Sequence, residues 1–69
     1  MNKTPVSSSN IAAVGYDAQS LVLEVEFLNG ATYQYFDVPR AEYDGLIQAQ
    51  SVGSYFAKSI KSTYRYSRI

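Results

Sequence analysis

Residues Leu21 to Leu28 alternate apolar and charged side chains and run directly into Asn29-Gly30, and this pairing constrains the fold more than any other stretch of the chain. A period of two places Leu21, Leu23, Val25 and Phe27 on one face of a strand and Glu24 and Glu26 on the other. Asn-Gly is a strong hairpin signal because both residues tolerate positive φ. Ala31 to Phe36, aromatic and β-branched, supplies the returning strand. Upstream, Ile11 to Tyr16 is a short apolar run of strand character, separated from the hairpin by the turn-forming segment Asp17-Ala18-Gln19-Ser20. The expectation is a three-stranded antiparallel meander.

The hairpin has two registers with opposite consequences. A two-residue Asn29-Gly30 loop sets Glu26 opposite Tyr33 and Glu24 opposite Tyr35, turning both tyrosines outward. A three-residue loop, Leu28-Asn29-Gly30 with glycine in a bulge, pairs Phe27 with Ala31 and Val25 with Tyr33, turning the tyrosines inward. The dipeptide preference favours the first. The second is favoured by size: a chain of 69 residues buries only about 60% of its unfolded surface and has little apolar material to leave outside. The inward arrangement is the one expected here.

The second half changes period. Asp37-Val38-Pro39 ends the third strand, and Pro39 suits the first turn of a helix, where its missing N–H costs nothing. Tyr43, Leu46, Ile47 and Gln50 recur at helical spacing. Ser51 is a good N-cap for a second helix, in which Val52, Tyr55, Phe56 and Ile60 share a face. Beyond Lys61 the pattern dissolves, and a strand, an extended arm and a helix end all remain open for the tail. Residues 1–10, with Pro5 and Ser7-Ser8-Ser9-Asn10, read as a flexible arm. The expected fold class is thus α+β: a three-stranded antiparallel β-meander, one or two short helices and a basic C-terminal tail, in a single domain over residues 11–69.

The residues that are missing limit the chemistry. There is no cysteine and no histidine, hence no disulfide, no thiolate or imidazole metal site and no thiol nucleophile. No Gly-x-Ser-x-Gly elbow and no phosphate-cradling loop is present. Glu24 and Glu26 are a solvated strand face, and Asp37, Glu42 and Asp44 suit a helix N-terminus on structural grounds alone. Neither an enzyme nor a metal, cofactor or small-molecule substrate is expected. No apolar stretch reaches the roughly 20 residues of a membrane span, and the first residues lack a signal-peptide core, so a bacterial-type cytoplasm is the expected location.

Charge is segregated along the chain. Residues 1–44 hold Lys3 and Arg40 against Asp17, Glu24, Glu26, Asp37, Glu42 and Asp44, two cations against six acids. Residues 45–69 hold Lys58, Lys61, Arg65 and Arg68 with no acid. The cations interleave with aromatic rings, a composition suited to single-stranded nucleic acid, in which cations follow phosphates and rings stack on bases. The opposing reading is that Tyr55 and Phe56 are core and the cations are solvated or paired with the acidic half.

Taken together, Tyr16-Asp17, Leu23-x-Val25-x-Phe27-x-Asn29-Gly30, Tyr33-Gln34-Tyr35, Val38-Pro39, Ser51-x-Gly53-x-Tyr55-Phe56 and Ile60-Lys61-x-x-Tyr64-x-Tyr66 resemble the KTSC domain family. This small bacterial family takes its name from the C-terminal extension of some lysyl-tRNA synthetases and also occurs as a free-standing protein. The resemblance covers nearly everything from Ser9 to Ile69, and Tyr33 and Tyr35 match the family's central Tyr-x-Tyr. It implies a free-standing module without a synthetase catalytic domain. RNA binding is the role suggested for the family. On this reading Lys58, Lys61, Arg65 and Arg68 contact phosphates, Tyr64 and Tyr66 stack on bases, and the partner is tRNA or single-stranded RNA. The alternative of a different class is a protein-interaction module that uses a sheet edge or the dipolar charge surface.

Overall fold

The computed structural model describes residues 1–69. Its sheet has five strands in the order β1-β2-β3-β4-β5, every neighbouring pair antiparallel. The strands are β1 (Lys3–Pro5), β2 (Ile11–Asp17), β3 (Val22–Phe27), β4 (Thr32–Tyr35) and β5 (Tyr66–Arg68). Helix α1 (Arg40–Gln48) and helix α2 (Val52–Tyr55), which runs on into a π-helical turn (Phe56–Ile60), lie between β4 and β5. No helix is long and apolar enough to cross a membrane.

The expected meander is therefore the centre of a wider sheet. Residues 1–10, expected as an arm, supply β1, which pairs Lys3 with Gly15 and Pro5 with Ala13. The tail supplies β5, which pairs Tyr66 with Tyr35 and Arg68 with Tyr33. Both additions satisfy backbone N–H and C=O groups that a three-stranded sheet would leave bare along its two outer edges. Side-chain composition carries little trace of such pairing, because it is made by the backbone.

The hairpin takes the three-residue loop. The Phe27 N–H donates to the Ala31 carbonyl at 2.8 Å, and the Gly30 N–H to the Phe27 carbonyl at 3.0 Å. Gly30 has φ +93°, a region that only glycine enters without strain. The Asn29 Oδ1 accepts from the Ala31 N–H at 3.0 Å and tightens the turn. The register then sets Val25 opposite Tyr33 and Leu23 opposite Tyr35, so the tyrosines face the helices. Leu21 departs from the expected alternation. It sits ahead of β3 with φ 58° and is 41% exposed, and its carbonyl accepts from the Val38 N–H.

A bulge in β2 solves a phase problem. Ile11 and Val14 are three residues apart and would lie on opposite faces of a regular strand. Between the pairs Ile11 with Phe27 and Ala13 with Glu26 the register slips by one residue, Ala12 is left over, and both Ile11 and Val14 point inward. They join Leu23, Val25, Tyr35 and Val38 from the sheet side, and Leu46, Val52, Phe56 and Ile60 from the helices, in one core.

Helix α1 starts after Pro39, and α2 is capped by Ser51, whose Oγ accepts from the Ser54 N–H at 3.2 Å. Of the face expected across α2 and the π turn, Val52, Phe56 and Ile60 are buried, while Tyr55 is half-buried. The π turn closes with the Lys61 N–H donating to the Phe56 carbonyl at 2.9 Å. The two helices cover the β2–β3 side of the sheet and leave the β4–β5 side partly open, which positions the site.

Candidate functional site

Residues directly opposite on neighbouring strands share a sheet face. Val25, Tyr33 and Arg68 form one such row, and Leu23, Tyr35 and Tyr66 the next, all on the helix side. Glu24, Gln34 and Ser67 form a row on the outer side. Where α2 does not reach over β4 and β5, these inward rows open into a groove of about 660 Å³. Its walls include Phe27, Tyr33, Tyr35, Phe56 and Tyr66, and Lys61 and Arg68 stand at its sides.

The five rings form one connected cluster. Tyr35 packs edge-on against Phe56 at 5.4 Å and lies tilted against Tyr66 at 5.7 Å between ring centroids. Tyr33 lies 5.8 Å from both Phe27 and Tyr66 and 6.5 Å from Tyr35. Such spacings add about 0.5–1.5 kcal/mol per pair beyond area burial. The cluster ends at Tyr66, which is 60% exposed, so one face of that ring is open to a ligand. None of the Tyr33, Tyr35 and Tyr66 hydroxyls hydrogen-bonds to the protein, in contrast to Tyr16, Tyr55 and Tyr64. Burial, with the neighbouring Tyr33 and Tyr66 adding to it, pushes the Tyr35 hydroxyl up to about 12.

The expected site residues divide into three groups. Lys61, Arg68 and Tyr66 come together at the groove with Tyr33 and Tyr35. Lys58 is exposed in the last helical turn, outside the groove and without an acidic partner. Arg65 and Tyr64 are engaged elsewhere. The Arg65 guanidinium lies over the Phe36 ring at 5.4 Å and pairs with Asp37 at 3.0 Å, an exposed pair that solvent and salt screen. Tyr64 turns toward α1 and donates its hydroxyl to Glu42 at 2.8 Å. Burial first, then that bond, push Tyr64 up to about 12.

The acidic half does not neutralise the groove. Glu24 and Glu26 are on the outer face, where the Lys3 ammonium bridges them at 3.4 and 2.9 Å. Asp44 pairs with Arg40 one turn away along α1. Glu24 and Glu26 thus lie behind the sheet, Glu42 and Asp44 lie on α1, and no carboxylate side chain lines the groove that holds Lys61 and Arg68. Phe27 and Phe56 read as core in the sequence, and their part in the groove wall was hidden by that role. The alternation Tyr64-x-Tyr66-x-Arg68 was the available signal for the rest, since period two marks a strand with Tyr66 and Arg68 on one face.

The KTSC domain model matches residues 7–66. An uncharacterised protein of Stutzerimonas stutzeri is 40% identical over 70 residues, covering 100% of this chain and 99% of that one. The lysine–tRNA ligase of a Nostoc species is 38% identical over 61 residues, which span 88% of this chain and only 11% of the ligase. Among solved structures, the crystal structure of a KTSC domain protein from Yersinia pestis superposes with a TM-score of 0.93 at 38% identity, covering 99% of this chain and 96% of that one.

Proposed function

This chain belongs to the KTSC domain family, and from that premise we propose that its groove binds single-stranded RNA, including the unpaired segments of tRNA, in the bacterial cytoplasm. The observation that carries the reading is the meeting of Lys61 and Arg68 with five aromatic rings in one open groove, free of any carboxylate. Cations hold phosphates, rings hold bases, and the absence of acid avoids repulsion of the backbone. The likeness to a segment of lysine–tRNA ligases gives the reading a tRNA-related context.

In this reading Lys61 and Arg68 are the phosphate contacts, Tyr66 and Tyr33 the stacking surface, and Lys58 an outlying cation. Tyr64 holds the fold through Glu42, and Arg65 lies at the surface against Phe36 and Asp37, away from the groove. With two phosphates neutralised on a single strand, log K falls against log salt with a slope of about −1.4. An NMR titration at low salt with a short oligoribonucleotide and with tRNA tests this. Shifts at Tyr33, Lys61, Tyr66 and Arg68 support it. Shifts confined to the outer face around Glu24 and Glu26, or none at millimolar ligand, refute it.

One observation favours a protein partner as the second reading: β5 is an end strand of three exposed residues, and its outer edge is free to pair with an added strand. Binding to a partner that persists after nuclease treatment, and is lost when proline at Arg68 removes an outward-facing N–H of β5, distinguishes this from RNA-dependent association.

A further inference from the structure

Tyr35 is the one tyrosine in the buried core, at 4% exposure, yet its hydroxyl has no protein partner. No side-chain polar atom that is fully buried lacks a hydrogen bond, so what remains accessible of Tyr35 includes its hydroxyl, and the cavity it lines is the groove. The other tyrosines with hydroxyls against protein have found acceptors: Tyr16 donates to the Val38 carbonyl, and Tyr55 and Tyr64 to Glu42. The Tyr35 hydroxyl, set among apolar rings, therefore keeps its hydrogen-bonding capacity open toward the groove, where water or a ligand can take it up.

Resting on the RNA reading, we infer that Tyr35 reads the base. Its hydroxyl hydrogen-bonds to an edge atom, a carbonyl oxygen or ring nitrogen, of one unstacked base whose face lies against Tyr66 and whose phosphate is held by Lys61 and Arg68. The surroundings select this chemistry. A phosphate or a sugar at the floor of the groove would meet Phe27, Phe56 and ring faces, and would lose water without replacement. A nucleobase has apolar faces and a polar edge, and such a group matches ring walls among which the least exposed hydroxyl, that of Tyr35, is left open. The groove, at about 660 Å³, lies within the size range of pockets for small ligands. With its pKa pushed up to about 12, the hydroxyl remains a protonated donor at physiological pH.

The test compares wild type with Tyr35→Phe and Lys61→Ala by fluorescence anisotropy on two labelled hexamers. One is an oligoribonucleotide with bases, and the other is the same ribose-phosphate chain without them. Wild type is expected to bind the base-bearing hexamer about tenfold or more tightly than the abasic one. Tyr35→Phe is expected to lose about fivefold on the base-bearing hexamer and nothing on the abasic one, with an unchanged melting temperature. Lys61→Ala is expected to weaken both equally. An equal loss on both hexamers, or no loss, from Tyr35→Phe overturns base reading and leaves RNA binding standing. Failure of wild type to bind either hexamer or tRNA overturns both.

Discussion

The carboxylate of Glu42 accepts two tyrosine hydroxyls, from Tyr55 at 2.6 Å and Tyr64 at 2.8 Å, and so ties α1 to α2 and to the segment that leads into β5. Bonds to an ionised acceptor are among the stronger side-chain contacts, and these are only partly exposed to water. Glu42→Ala leaves both hydroxyls without their acceptor and is expected to cost about 2 kcal/mol, read by urea denaturation. Gly45, one turn on, is fixed by the same knot. A Cβ there would collide with the Tyr55 hydroxyl and lie 2.9 Å from its ring carbon. Gly→Ala inside a helix ordinarily stabilises by about 1 kcal/mol. Here Gly45→Ala is expected to destabilise, and a higher melting temperature for that variant would disprove the knot. Tyr64 was legible in the sequence only as an aromatic residue near cations. Its actual role depends on Glu42, 22 residues away, which no local pattern connects to it.

At the scale of elements, the hairpin decides which face carries the tyrosines. The turn fixes register, and a slip of one residue would move Tyr33 and Tyr35 to the acidic outer face. Gly30→Ala meets the positive φ of the bulge and is expected to cost about 1–2 kcal/mol by chemical denaturation. Heteronuclear spectra of that variant would show whether a two-residue loop, with its outward tyrosines, becomes populated. The alternation in β3 was plain in the sequence, as were Ser51 as a cap and the buried face of α2. The bulge at Ala12 was not, because it is needed only once Ile11 and Val14 must reach the same core. Strand β5 is the other element that context creates. Truncation after Arg65 is expected to bare the β4 edge and the Tyr35 ring, lowering the melting temperature and promoting association measurable by light scattering.

For the whole molecule, the tyrosines set the response to alkali. Tyr35 and Tyr64 are both pushed up to about 12, chiefly by burial, while an unfolded tyrosine titrates near 10. Between these values the folded state holds more protons than the unfolded one, so stability falls as pH rises. Melting temperatures are expected to carry the full contribution of these groups below pH 10 and to drop steadily toward pH 12, with a shallower drop in Tyr35→Phe. The molecule is formally neutral, with six basic and six acidic residues, yet no carboxylate side chain lines the groove beside Lys61 and Arg68. Charge counting along the chain found the imbalance, but which of the charges reach the groove depends on strand register for Arg68 and on the course of the helical segment for Lys61.

What the sequence determined by itself is everything set by near neighbours: the strand alternation, the turn site, the helix cap, the mixed α+β class and the excess of cations at the C-terminal end. These follow from backbone preferences and from the period at which apolar side chains recur, both of which act over a few residues. The tertiary structure alone decided that the two ends become edge strands, that Arg65 and Tyr64 are spent on Asp37 and Glu42, and that Lys61, Arg68 and Tyr66 meet Tyr33 and Tyr35. Those outcomes depend on backbone hydrogen bonds and contacts between distant segments, whose partners are chosen by the competition for edge pairing and for limited core space.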